Sequence, residues 1–134
     1  MPRRIDHLCV EAHTFQVWEV VFEESFDLEF VVLPVEVQNE LYAQAEWIER
    51  FGPEAGRPRV DTLKGSKYAR MKELRFDAAG GVWRVAFAFD PKRRAVLLIA
   101  GDKSGGSEKR FYQRLIRKAD ARYERYLAAI QKGR

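Results

Sequence analysis

Met71-Lys-Glu-Leu-Arg-Phe-Asp-Ala-Ala-Gly80-Gly-Val-Trp-Arg-Val-Ala-Phe-Ala-Phe89 decides the fold of this chain. Residues 71–76 and 82–89 are rich in β-formers, and Asp77-Ala-Ala-Gly80-Gly81 between them has hairpin chemistry. Side chains alternate between the two faces of a strand. Trp83, Val85, Phe87 and Phe89 therefore share one face, and Val82, Arg84, Ala86 and Ala88 the other. In the first strand Lys72, Leu74 and Phe76 oppose Met71, Glu73 and Arg75. Matching apolar with apolar sets Phe76 across from Trp83 and Leu74 across from Val85, because a one-residue slip would turn every side chain over. The same register sets Arg75 beside Arg84 and Glu73 beside Ala86 on the second face.

Upstream, Val17-Trp18-Glu19-Val20-Val21-Phe22 is expected to form a first strand. Phe22, Phe26, Phe30 and Leu33 then follow helical spacing until Pro34 interrupts. A second helix carries Val37, Leu41, Ala45 and Ile48 and ends before Gly52-Pro53. Glu23, Glu24, Glu29, Glu36, Glu40, Glu46 and Glu49 make the outer faces of both helices acidic, as in a scaffold turned away from an anion. Residues 52–67, with two prolines and three glycines, are expected to be a loop. Downstream, Asp90-Pro91-Lys92 turns the chain into a buried strand over Ala95–Ala100, and Gly101–Gly106 is another loop. A basic helix begins near Ser107, an acceptable N-cap, with the stripe Phe111, Leu115, Ala119, Tyr123 and Leu127 flanked by Ile116 and Ile130. The order β-α-α-β-β-β-α predicts an α+β domain: an antiparallel sheet of about four strands, two N-terminal helices and one C-terminal helix. Residues 1–14 form an extension without a clear period, and residues 15–134 form one domain.

At 134 residues, 46% of them hydrophobic, the chain can bury a core without staples. Its one cysteine, Cys9, excludes an internal disulfide and is expected to be a small inert residue in a reducing compartment. No apolar run reaches about 18 residues, so no membrane span is expected. The N-terminus lacks the pattern of a signal peptide, which predicts a cytoplasmic protein. No His/Cys or multi-carboxylate spacing suits a metal, so neither metal nor cofactor is expected. The charges are sorted. Up to Gly56 three basic residues face twelve acidic ones, a balance of −9; from Arg57 onward 21 basic residues face eight acids, a balance of +13. Such a basic segment fits a polyanionic partner, nucleic acid foremost, or a solvated basic helix with none.

Arg75 beside Arg84 sharpens that choice, since like charges on paired strands cost about 0.2–1 kcal/mol. A sheet tolerates the pair if Glu73 sits between the arginines as an ion partner. In the functional alternative, small Ala86 and Ala88 leave a concave floor where two guanidiniums meet a phosphate, which their fork geometry suits. Lys64, ahead of the first of these strands, Lys103 after the last, and Tyr112 on the first turns of the C-terminal helix could converge on that floor.

Val60-Asp-Thr-Leu-Lys-Gly-Ser66, Met71-Lys-Glu-Leu-Arg75, Trp83-Arg-Val-Ala-Phe-Ala-Phe-Asp-Pro91 and Gly101-Asp-Lys103, followed by Tyr112, resemble in this order the RelE/HigB superfamily of toxins. The phage-derived HigB-like group is the nearest branch, and the resemblance spans about Val17–Leu127. It implies a RelE-like microbial RNase fold. It also implies an mRNA interferase cutting messenger in the ribosomal A site, neutralised by an antitoxin that is commonly a helix-turn-helix protein. By position, Arg84 matches the strand arginine on the scissile phosphate, and Tyr112 the tyrosine that stacks on a base or orients the attacking group. Lys64 lies where a basic catalytic residue is often placed, Asp61 near a carboxylate base, and Lys103 in the loop acting on the leaving group. The departures are the absence of a histidine near the motifs, His7 and His13 being N-terminal, and the unmatched extension.

Metal-free RNA cleavage needs a base for the 2′-OH, cations for the phosphorane and an acid at the 5′-oxygen. Arg84 and Arg75 are assigned to electrostatic stabilisation, and Lys64 to proton transfer with Asp61 or Glu73 as alternative bases. For Glu73 the ion-pair role is favoured. Lys103 is the acid or leaving-group contact, and Tyr112 stacks on the substrate. Lys67, Arg70, Arg93, Arg94, Lys109, Arg110 and Arg114, with Arg117 and Lys118, are expected to hold ribosomal RNA, messenger or an acidic antitoxin segment. Two alternatives stand beside the toxin: a non-catalytic RNA- or DNA-binding module of phage origin, and an interaction protein whose basic helix docks an acidic partner.

Overall fold

A computed structural model describes residues 3–4 and 18–132. Along the chain come β1 (Arg3–Arg4), β2 (Glu19–Phe22), α1 (Glu24–Phe30), α2 (Val35–Phe51), a 3-10 turn (Gly52–Glu54), β3 (Val60–Thr62), β4 (Met71–Ala78), β5 (Gly81–Phe89), β6 (Arg94–Asp102) and α3 (Glu108–Lys132). The expected α+β architecture is present. Six strands form one sheet in the order β1-β2-β6-β5-β4-β3. Three details correct the sequence reading. The sheet has more than four strands. β2 runs parallel to β6, pairing Glu19 with Arg94 and Phe22 with Leu97. The stretch expected to be a loop contains β3, which pairs Val60 with Leu74 and Asp61 with Glu73. Within the N-terminal extension, Arg3 and Arg4 pair antiparallel with Phe22 and Val21; His7, Cys9 and His13 lie outside the described residues.

The β4–β5 hairpin adopts the register that apolar matching requires: Leu74 faces Val85, Arg75 faces Arg84 and Phe76 faces Trp83. Its two-residue turn puts Ala79 and Gly80 both at positive φ, 51° and 74°, the geometry that matches the right-handed twist of the strands.

The sheet is covered on both faces. On one, Trp83, Val85, Phe87 and Phe89 join Leu74, Phe76, Val20, Phe22 and Leu97 beneath Phe26, Phe30, Val37, Leu41, Ala45 and Ile48 of α1 and α2. Phe22 stacks on Phe26 and meets Phe30 edge-on, so the aromatic stripe joins β2 to α1. On the other face Met71, Ala86, Ala88, Val96 and Leu98 receive Phe111, Leu115, Ala119, Tyr123 and Tyr126 of α3. Ala86 and Ala88 are wholly buried. They are therefore not the open floor expected of them: their small side chains let α3 approach the sheet. Gly101 acts likewise, since a Cβ there would stand 2.8 Å from Phe111 Cε1.

The acidic helices also differ from a scaffold turned wholly outward. Arg122 of α3 holds Glu29 with both terminal nitrogens (Nη1–Oε1 2.9 Å, Nη2–Oε2 2.5 Å) and donates to the Leu98 carbonyl at 2.8 Å. Arg125 reaches Glu23 Oε2 at 3.1 Å, while Glu23 Oε1 caps α1 by accepting from the Phe26 amide. Part of the charge asymmetry is thus neutralised inside the fold.

Candidate active site

Pairing and alternation place Asp61, Glu73, Arg75 and Arg84 on the α3 side of one end of the sheet. The N-terminal turns of α3 arrive at the same end. Ser107 caps the helix, accepting from the Arg110 amide through its Oγ at 3.2 Å. The cap and the Gly101–Phe111 contact fix where Tyr112 falls, and its hydroxyl lands between two charges. It donates to Glu73 Oε1 at 2.7 Å and accepts from Arg84 Nε at 3.2 Å. Arg84 and Glu73 are each 6% exposed and stand 3.8 Å apart (Nε–Oε1). Arg84 Nη1 donates to the Trp83 carbonyl at 2.9 Å, which fixes the plane of the guanidinium. Burial and the Glu73 carboxylate push the Tyr112 hydroxyl above its ordinary value, so it is a neutral phenol at physiological pH.

Arg75, though paired with Arg84 in register, turns to Asp61 (Nη1–Oδ2 3.5 Å). Arg57 also approaches Asp61, at 3.6 Å. Each arginine therefore has its own carboxylate, Glu73 for Arg84 and Asp61 for Arg75, which removes most of the repulsion the register implies. Glu73 thus pairs with Arg84 alone and does not sit between the two arginines. Lys103 continues β6, its amide donating to the Val82 carbonyl at 2.6 Å, and its ammonium leans to Glu108 at 3.7 Å.

Beside Tyr112 lies an open groove of ≈ 680 Å³ lined by Gly65, Lys109, Tyr112, Gln113, Ile116 and Arg117. Gly65, in the loop after β3, lines it opposite the helix, and its neighbour Lys64 is exposed. Asp120 pins that loop to α3, accepting from Ser66 Oγ at 2.5 Å and the Lys67 amide at 3.1 Å.

The structure thus gathers Asp61, Glu73, Arg75, Arg84, Lys103 and Tyr112 at one end of the sheet, with Lys64 exposed next to Gly65 of the groove. Lys109, Arg110 and Arg114 are exposed on the helix turns flanking it. Lys67 is tied to Glu124 at 3.0 Å, and Arg70 is exposed in the same loop region. Arg93 and Arg94 are not part of this cluster. Arg94 is seven residues along β6 from Gly101, the partner of Arg84, which is roughly 23 Å of strand. There it is held by buried Asp90 at 2.8 Å, and Arg93 lies over the Trp18 ring at 4.7 Å. Sequence reasoning did not single out Gln113 and read Ile116 only as a flank of the apolar stripe; in the structure both line the groove beside Tyr112. Among the described residues no group of three or more His, Cys, Asp or Glu could hold a metal ion, and no helix is long and apolar enough to cross a membrane.

A mixed sheet carrying a helix on one face, with Arg84 and Glu73 bridged by a tyrosine of that helix, defines a small α+β protein of RelE-like fold. The chain belongs to the family of phage-derived proteins described as Gp49-like (DUF891), whose profile matches residues 28–124. It is 48% identical over 86 residues to HigB3 of Mycobacterium tuberculosis (strain ATCC 25618 / H37Rv), a protein named as a candidate toxin; the match covers 64% of this chain and 73% of HigB3. To HigB2 of the same organism, also named as a candidate toxin, it is 40% identical over 92 residues, covering 68% of this chain but 45% of HigB2. No solved structure matches. The chain is therefore HigB-like, as the ordered motifs from Val60 to Tyr112 indicated.

Proposed function

We propose that the chain is the toxin of a toxin–antitoxin pair and acts as a metal-independent endoribonuclease on messenger RNA at the ribosomal A site, in the cytoplasm. The observation that carries the reading is the Arg84–Tyr112–Glu73 cluster, whose Tyr112 also lines a groove with Lys109 and Arg117. In the reaction the 2′-oxygen forms a bond to the adjacent phosphorus and the bond from phosphorus to the 5′-oxygen breaks. The products are a 2′,3′-cyclic phosphate and a 5′-hydroxyl. A base removes the 2′-OH proton and an acid delivers one to the leaving oxygen.

Arg84 supplies positive charge to the phosphorane. Its guanidinium is already oriented by Tyr112 and the Trp83 carbonyl, so little reorganisation accompanies the reaction. Arg75 is the second cation. Lys64, exposed next to Gly65 of the groove, or Asp61 takes the nucleophile's proton, and Lys103 serves the leaving group. Tyr112, neutral at physiological pH, orients Arg84 and offers its ring to a base. Glu73 holds the cluster together. Lys67, Arg70, Lys109, Arg110 and Arg114 guide RNA into the groove; Arg93 and Arg94, at the other end of the sheet, would reach only a longer RNA surface.

The test is induced expression with and without Arg84→Ala, together with mapping of cleavage ends on translated message. The parent should arrest growth and leave 5′-hydroxyl ends, and the folded variant should do neither. Arrest by Arg84→Ala equal to the parent's would rule out this placement of the site.

A further inference from the structure

The large hydrophobic side chains most exposed among the described residues gather at one corner: Leu28 (74%), Val31 (61%), Val32 (80%) and Val35 (67%), where α1 turns into α2. Leu28 is three and four residues from Val31 and Val32, which puts all three on one side of the helix end. Gln38 braces the turn, donating through Nε2 to the carbonyls of Val31 (3.3 Å) and Leu33 (2.9 Å), so the apolar ridge is preformed. Single exposed apolar residues are ordinary, but a contiguous group of this kind marks an interaction surface.

Its surroundings say what covers it. Exposed Glu24 and Glu36 and half-buried Asp27 border the ridge; no Lys or Arg occurs between Arg4 and Arg50, and the two arginines that α3 brings to α1, Arg122 and Arg125, are held by Glu29 and Glu23 instead. Symmetric contact with a second copy would bring these acidic borders face to face, which disfavours self-association here. The complementary partner is a segment with an apolar stripe between basic residues. The ridge also lies on the α1–α2 side of the sheet, whereas Arg84, Tyr112 and the groove lie on the α3 side.

We infer that the α1–α2 corner docks a basic, apolar-striped segment of a protein partner; resting on the reading above, that partner is the antitoxin. It grips the toxin on the face opposite the groove, so anchoring and neutralisation are separable.

The full chain is co-expressed with the small protein encoded by the adjoining gene, and the affinity of the purified pair is measured at low and high salt. A Leu28→Ser/Val32→Ser variant and a Glu24→Lys/Glu36→Lys variant should each bind at least about tenfold more weakly. An Arg114→Ala/Lys118→Ala variant should bind as the parent does, and the Leu28→Ser/Val32→Ser protein should still arrest growth when expressed alone. Parental affinity in both corner variants, no complex with the parent, or parental self-association abolished by Leu28→Ser/Val32→Ser would overturn the assignment. A corner-dependent complex with a parent chain that never arrests growth would instead refute the toxin reading while leaving the docking surface standing.

Discussion

Replacing Tyr112 by Phe removes one oxygen atom and tests whether the cluster at the end of the sheet is a single unit. That oxygen donates to Glu73 at 2.7 Å and accepts from Arg84 at 3.2 Å. Both charged groups are almost wholly buried, so neither regains water easily when the bridge is lost. A hydrogen bond to a charged group contributes about 1.5–3 kcal/mol. The two losses do not sum, because Arg84 keeps the Trp83 carbonyl and can close the 3.8 Å gap to Glu73. The expected destabilisation is about 1–3 kcal/mol, a fall in Tm of roughly 3–10 °C for a chain of this size. Urea denaturation should show it as a lower midpoint with unchanged m. Combining Tyr112→Phe with Glu73→Gln in a double-mutant cycle should give a coupling of about 1 kcal/mol or more. Additivity of the two changes to within about 0.3 kcal/mol would refute the bridged cluster.

Three further outcomes are expected. Burial and nearby Glu46 push the Glu49 carboxyl from 4.5 up to about 7, so the folded state holds a proton there that the unfolded chain has released. The stability tied to that proton is complete below pH 4.5 and lost as pH rises through about 7, by up to about 3 kcal/mol; Glu49→Gln should flatten this part of a pH–stability profile measured in urea. Gly101→Ala sets a methyl 2.8 Å from the Phe111 ring and should cost about 1–3 kcal/mol by thermal melting, while moving the start of α3 and, on the proposed function, lowering growth arrest more than stability alone predicts. Arg122→Met strands the Leu98 carbonyl and releases Glu29; a loss of about 2–3 kcal/mol is expected in chemical denaturation, only partly restored by Arg122→Lys, which has no fork.

How far the site was legible follows the range of each interaction. Arg75, Arg84 and Glu73 could be placed on one face because the alternation of Leu74, Phe76, Trp83 and Val85 sets the hairpin register within about 20 residues of chain. β3 could not: its three residues sit among prolines, glycines and charges, and only pairing with β4 makes Val60-Asp61-Thr62 a strand. That pairing puts Asp61 beside Glu73 and gives Arg75 its own carboxylate. Ala86 and Ala88 looked like open floor because smallness signals either an empty space or a close neighbour, and only the position of α3 distinguishes them.

The sequence by itself determined the hairpin and its register, the helical stripes of α1, α2 and α3, and the sorting of charge along the chain. These rest on local periodicity, which a single face of burial enforces. Only the tertiary structure decided the parallel joining of β2 to β6, the Arg122–Glu29 pair across 93 residues, and the Tyr112 bridge to Glu73 across 39 residues. Such contacts depend on how closely α3 settles on the sheet at Ala86, Ala88 and Gly101. That distance is set by packing between distant segments, and no local pattern records it.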